Sequence, residues 1–214
     1  MNDKVTAHLD ALIGRYPALS VCREDIAAAY SLLEQSFASG GKLLIGGNGG
    51  SAADAEHIVG ELMKSFLLPR PMDPDFRTAA EATDPQMGRL LGEGLQQGLP
   101  ALALNAHTAL GTAWLNDCSS DLVYAQQVVG YGCPSDVLLG ISTSGNSNDI
   151  LYAAVAARAK GLRIIGLTGA GGGLLATLCD VCIRVPETPT YKVQELHLPV
   201  YHCLCMMLEE RFFG

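Results

Sequence analysis

One three-part unit recurs along this chain: a short apolar run, a turn of small residues, then a helix-forming segment. It reads LLIGGNGGS from Leu43, VLLGISTSGNS from Val137 and IIGLTGAGGG from Ile164. Short continuous apolar runs are the mark of strands covered on both faces. Strands that alternate with helices form a parallel sheet, because a parallel neighbour can be reached only through a crossover. Two further runs, ALALN at 101–105 and DVCIRV at 180–185, bring the expected strands to five. The predicted fold class is α/β: a doubly wound, five-stranded parallel sheet with helices on both faces.

The remaining segments fill in around that sheet. Apolar positions at three-and-four spacing predict helices over 3–14 (Val5, Leu9, Leu12, Ile13) and 23–39 (Ile26, Ala29, Leu32, Leu33, Phe37), the second stopped by Gly40 and Gly41. The strands are expected at 42–47, 101–105, 136–142, 162–168 and 180–185. Helices are expected near 52–66, 86–97, 107–115, 120–129, 147–160 and 192–212, with a short one after Gly173. Residues 67–99, carrying Pro69, Pro71, Pro74 and Pro85, break the rhythm and read as a helical insertion with too few apolar residues for a core of its own. The organisation is therefore one domain over 1–214, with N-terminal helices over 1–40 and the insertion at 67–99.

Composition narrows the function. Hydrophobic residues make up 49% and charged residues 17%, rich in apolar groups for a free monomer, so burial between subunits is expected. A net charge of −8 argues against a nucleic-acid partner, which demands a stripe of lysine and arginine. The seven cysteines lie mostly inside apolar runs and read as reduced thiols of a cytoplasmic protein. Cys179 and Cys182 form a CxxC with Cys203 and Cys205 beyond it; a strand flank and a helix face account for them better than a zinc site does. The N-terminus lacks the basic and apolar regions of a signal peptide. No apolar run reaches the roughly 20 residues of a membrane span.

The small-residue turns can hold an anion. Glycine lets the backbone approach a ligand, and a helix start presents unpaired N–H groups and the positive end of its dipole. Ser51 reads as an N-cap with Asp54 in the capping-box position, and Ser147 as another N-cap. Ser142, Thr143, Ser144 and Ser147 supply hydroxyls, so a phosphate monoester could be cradled without a cation. The other phosphate motifs fail: GxxxxGK[ST] is absent, and GxGxxG breaks at Leu174 with no acidic residue placed for a ribose. ATP and NAD are disfavoured.

Beyond the first turn, His57 and Glu61 are four residues apart and share a helix face, a spacing that suits a metal or an acid/base pair. A second cluster, YKVQELHLPVYHCL, carries Gln194, His197 and His202. Gln194 and His202 are eight residues apart, about 12 Å along a regular helix. They meet one ion only if Gln194 precedes or distorts the helix, for which Pro199 offers a cause, or if they serve sites shared between subunits. His197 and Tyr201 form a rival face, and a packed core histidine is the simplest account of His197.

At these residues the sequence resembles the sugar isomerase (SIS) domain family, and within it the phosphoheptose isomerases. The resemblance runs over GNGGSAADAEH (47–57) with Glu61, over Asn116-Asp117, over 135–147, over IIGLTGAGGG and over VQELHLPVYH (193–202). It implies a tetramer with active sites at subunit contacts, and a zinc ion held by His57, Glu61, Gln194 and His202. It further implies that Asn48, Gly49, Gly50 and Ser51 line the sugar-phosphate pocket. Ser142, Thr143, Ser144 and Ser147 would grip the phosphate, Asn116 and Asp117 would touch the substrate, and Glu61 and His202 would act as acid and base. The implied reaction, ketose to aldose through an enediol, needs a base near carbon and an acid at oxygen, which a carboxylate and an imidazole can supply. The chain departs from the family at Ser65, where an arginine is usual, at His107, at Tyr191, and in about two dozen extra residues near 70–95. A non-catalytic SIS regulator that binds the initiator DnaA would lack the glutamate and the last histidine, and a sensing module would carry a DNA-binding segment. Glu61 and His202 favour the enzyme.

Overall fold

Parallel pairing of β1 (Leu43–Gly47) with β3 (Val137–Ile141) forms the centre of the sheet, in register from Leu43 opposite Val137 to Gly47 opposite Ile141. The computed structural model describes all residues, 1–214. β2 (Ala101–Ala103) adds to the outer edge of β1, β4 (Arg163–Thr168) to β3, and β5 (Val181–Arg184) to β4. The spatial order is β2-β1-β3-β4-β5, all parallel. This order reverses direction between β1 and β3, and ligands of such sheets bind beyond the carboxyl ends of the strands at that switch point. The turns after β1 and β3 are the two that carry Asn48–Ser51 and Ser142–Ser147.

The strand residues alternate between two cores. Leu43, Ile45, Val137, Leu139, Ile165 and Ile183 face α2 (Arg23–Ala38), α3 (Gly50–Met63) and the long α10 (Thr190–Phe213) in the larger cluster, which α1 (Asp3–Arg15) completes by packing on α10. The smaller cluster gathers Leu44, Leu138 and Ile164 against α7 (Val123–Tyr131), α8 (Asn148–Ala159) and α9 (Leu175–Leu178). Doubly buried strands thus explain the uninterrupted apolar runs.

The insertion holds two helices where the periodicity predicts one. α4 (Pro74–Thr83) and α5 (Pro85–Gly94) each start at an aspartate cap followed by proline: Asp73 Oδ1 accepts from the Phe76 amide at 2.8 Å, and Asp84 Oδ1 from the Met87 amide at 2.8 Å. Those two Asp-Pro pairs are the usual start signal. α6 (Thr108–Asp117) buries none of its residues. The C-terminal helix α10 is continuous through Pro199 with Gln194 inside it, so of the two ways for Gln194 and His202 to serve one ion the distorted turn is not seen, and the site shared between subunits is left.

One buried ion pair locks the insertion to the core. Arg70 and Glu209 side chains are 0% and 1% exposed and lie 2.8 Å apart. Glu209 also accepts the amides of Phe66, Leu67 and Leu68, and these donors hold its carboxyl below the usual carboxylate range against the opposing cost of burial. Arg70 donates to the carbonyls of Leu62 and Glu61, capping the C-terminal end of α3 where carbonyls lack helical partners.

Candidate active site

The turn after β3 is braced from within. Gly145 has φ +67°, and a side chain there would run into the Gly172 carbonyl, so only glycine closes the loop against the turn after β4. The Gly145 amide donates to the Ser142 carbonyl, Asn146 Oδ1 accepts the Leu174 amide, and the Gly169 amide donates to the Thr143 carbonyl. Ser142 Oγ and Ser147 Oγ lie 3.1 Å apart, turned to one another, while Ser144 is exposed. Thr143 and Ser144 share a polar hollow with Gly169, Ala170 and Gly171. Ser147 occupies the N-cap position of α8 but makes no side-chain cap bond, which leaves its hydroxyl to its partner serine.

The turn after β1 differs from its sequence reading. The N-cap of α3 is Gly49, at φ +56°, not Ser51. Ser51 and Asp54 point into the protein and are 6% and 7% exposed, so no capping box forms. The positive φ of Gly49 starts the helix two residues earlier and turns Asn48, Gly49 and Gly50 to solvent. Asn48 Nδ2 donates to Asp149 Oδ1 at 3.0 Å, joining the two switch-point turns, and Tyr124 donates its hydroxyl to the Gly47 carbonyl at 2.7 Å. Gln194 packs directly on Gly50, where a Cβ would collide with its amide. Asp54, Gln194 and Tyr191 line a cavity of about 330 Å³.

Two turns further along α3, His57 and Glu61 meet His202 of α10. His57 Nε2 lies 3.2 Å from Glu61 Oε1 and 3.5 Å from His202 Nε2. The two imidazoles stand edge to face at 4.9 Å between centroids. Burial and the nearby His57 hold the His202 ring below the ordinary histidine value, against a smaller pull from Glu61, so it is neutral at pH 7. Glu61 Oε2 is buried without a hydrogen-bond partner; Lys64 Nζ is the nearest cation, at 3.5 Å. A cavity of about 470 Å³ opens beside His202, lined by Phe66, Leu198, and Tyr16 and Arg15 of α1.

The donor set suits zinc. Tetrahedral zinc with bonds near 2.1 Å places neighbouring donors about 3.4 Å apart, and the two separations around His57 Nε2 bracket that value. No group of three His, Cys, Asp or Glu side chains is formed that could hold a metal ion as it stands, so the fit rests on these two separations about His57 Nε2 alone. Gln194 sits back at Gly50, and Asn116 and Asp117 are exposed at the end of α6 and bond only to each other at 2.8 Å. Within one chain, therefore, the structure assembles His57, Glu61 and His202 and leaves Asn116 and Asp117 apart. His197 is fully buried in the core, and desolvation pushes its ring down to about 4. Cys179 precedes β5 and Cys182 lies within it, while Cys203 and Cys205 are buried on α10; all seven cysteines are free.

Three side chains order this site beyond the sequence reading: Arg70 and Glu209, which it gave no role, and Tyr201, which it named only as a rival face with His197. Tyr201 OH lies 3.1 Å from His57 Nδ1 and donates to Asp54 Oδ1 at 3.2 Å.

Residues 80–169 match the SIS domain family. The phosphoheptose isomerase of Rhodospirillum rubrum is 40% identical over 210 residues, covering 98% of each chain. That of Aneurinibacillus thermoaerophilus is 35% identical over 216 residues, covering 100% of this chain and 96% of its own. Among solved structures, the phosphoheptose isomerase of Neisseria gonorrhoeae superposes with a TM-score of 0.74 at 32% identity, covering 97% of this chain and 98% of its own. That of Francisella tularensis gives 0.75 at 30% identity, covering 98% and 100%.

Proposed function

The chain belongs to the phosphoheptose isomerase family and is an aldose–ketose isomerase of sugar phosphates; from that premise we propose that it converts sedoheptulose 7-phosphate to a heptose 7-phosphate with Glu61 and His202 as its proton carriers. The observation that supports this most is the meeting of His57, Glu61 and His202 from two separate helices, on a sheet whose switch point carries uncharged phosphate turns. Ser142, Thr143, Ser144 and Ser147 grip the phosphate, with Asn48, Gly49 and Gly50 along the sugar, Ser51 turned inward beneath them and Gln194 behind Gly50. Fixing the phosphate end orients the reacting carbons, a contribution that can reach several kcal/mol.

The Glu61 carboxylate takes the proton from C1 of the ketose. The C–H electron pair forms the C1=C2 bond of an enediol as the C2 oxygen gains a proton. Glu61 exchanges that proton with solvent during the life of the enediol and then delivers a proton to C2 while the C1 hydroxyl loses its own, leaving the aldehyde. His202, neutral at pH 7, carries the protons between the two oxygens; a neutral imidazole can both donate and accept. Zinc held by His57, Glu61 and His202 would polarise the carbonyl oxygen as a Lewis acid; Gln194, the further ligand that the family resemblance implies, lies about 12 Å along the continuous α10 from His202 and would join such an ion only at a site shared between subunits.

The assembly we propose is a homotetramer with sites at subunit contacts. Exposed apolar side chains support it: Leu67 is 60% exposed, Met87 66%, Leu90 64% and Leu115 55%. Asn116 and Asp117, stranded at the end of α6, would reach a neighbour's substrate. No helix is long and apolar enough to cross a membrane, and seven free cysteines suit the cytoplasm.

A panel of five- to seven-carbon ketose phosphates, assayed with and without chelator, tests the substrate. Turnover of the heptulose phosphate above the shorter sugars, lost on chelation and restored by zinc, is expected. Preference for a five- or six-carbon substrate would overturn the heptose assignment, and full turnover after metal removal would overturn the zinc.

A further inference from the structure

We propose that Tyr201 is a positioning residue that fixes the tautomer of His57, holding its proton on Nδ1 and turning a bare Nε2 toward Glu61 and His202. The inference rests on the zinc reading above for its purpose, but its geometry stands alone. Tyr201 is 2% exposed and Asp54 is 7% exposed, so the hydrogen bond between them is buried. The phenol has one proton and lies between two candidate acceptors, Asp54 Oδ1 at 3.2 Å and His57 Nδ1 at 3.1 Å. A carboxylate can only accept. The Tyr201 proton therefore goes to Asp54, and the phenolic oxygen is left to accept from His57 Nδ1–H.

That choice propagates to the other side of the ring. With its proton on Nδ1, neutral His57 presents a lone pair at Nε2. Glu61 Oε1, 3.2 Å away, also carries only lone pairs, and His202 Nε2 stands 3.5 Å away. Two electron-pair donors, His57 Nε2 and Glu61 Oε1, turned on one another in this way are an arrangement that a cation relieves. Metal-ligating histidines generally have the opposite ring nitrogen fixed by an outer partner, and losing that partner typically costs about 10–100-fold in metal affinity. Here the partner is a tyrosine anchored by a buried aspartate. Its ring also packs edge-on against His57, with centroids 5.5 Å apart, so Tyr201→Phe keeps the packing and removes only the hydroxyl.

The test uses the full-length protein with 15N-labelled histidine. Imidazole nitrogen shifts are read in the metal-free form about two pH units above the ordinary histidine value of ~6.5. The wild type should show His57 as the Nδ1–H tautomer, and Tyr201→Phe should move it toward Nε2–H or a mixture. Zinc affinity, by competition with a chromophoric chelator, should fall about 10–100-fold in Tyr201→Phe with the circular dichroism spectrum unchanged. A wild-type His57 carrying its proton on Nε2, or a Tyr201→Phe protein with unchanged tautomer, overturns the proposal. If the wild type binds no zinc, the metal reading fails, and the tautomer measurement still decides the role of Tyr201.

Discussion

Replacing Arg70 by methionine should destabilise the protein far more than an ordinary surface ion pair would. Both partners are out of water, at 0% and 1% side-chain exposure, so no solvent screening reduces the effect. Removing one member of a buried pair typically costs about 3–5 kcal/mol, because the other charge is left uncompensated. For a domain of this size that lowers the melting temperature by roughly 6–20 °C, at ~2–4 °C per kcal/mol. The carbonyls of Leu62 and Glu61 also lose their donors. The double variant Arg70→Met/Glu209→Leu should not recover full stability, since the Phe66, Leu67 and Leu68 amides then lose their acceptor. The pH dependence follows from Glu209. Its folded carboxyl is held below its unfolded value, so its contribution is present above the unfolded value and is lost as pH falls through the folded one. Arg70→Met should weaken that acid dependence. Urea unfolding of the wild type and both variants between neutral and acidic pH measures all three effects. A cost under about 1 kcal/mol for Arg70→Met, the range of exposed pairs, would refute the claim that this pair locks the insertion to α3 and α10.

Other expectations are narrower. Glu61→Gln should lower kcat by about 10²–10⁴ while the unfolding midpoint stays close to wild type, read by coupled assay and thermal melt. Ser142→Ala should raise KM for the phosphorylated sugar by about 10–100-fold, the loss of one hydrogen bond to a charged group, with little change for a non-phosphorylated analogue. Gly145→Ala should disorder the phosphate turn and raise KM further, because its positive φ and the Gly172 carbonyl both exclude a side chain. His197 stays neutral in the fold down to about pH 4 but takes up a proton near 6.5 when unfolded. Stability should therefore fall as pH drops from 6.5 toward 4, by up to about 3 kcal/mol at 1.36 kcal/mol per unit, and His197→Leu should flatten that slope.

The sheet was legible because its strands are buried on both faces and so carry uninterrupted apolar runs such as VLLGI. The switch point needed the strand order, which no periodicity encodes. The helix missed at Pro74–Thr83 buries no residue, so it leaves no apolar stripe, and only the Asp73-Pro74 cap announces it. Ser51 misled because serine is a common cap, whereas Gly49 takes the positive φ that turns the chain. The pairing of His57 with Glu61 followed from spacing, and that of His57 with His202 from resemblance alone. The Arg70 pairing was invisible, and Tyr201 was legible only as a helix-face neighbour of His197, because each acts through contacts more than 100 residues away on one side, Tyr201 with Asp54 and Arg70 with Glu209.

The central claim is that Glu61 carries a proton between adjacent carbons of a phosphorylated ketose. Incubation of sedoheptulose 7-phosphate with the enzyme in deuterium oxide, followed by NMR at the C1 and C2 positions, tests it most directly. The account predicts deuterium entering the carbon skeleton with the wild type and none with Glu61→Gln. Isomerisation by the wild type without any solvent deuterium, or equal exchange by Glu61→Gln, would contradict it.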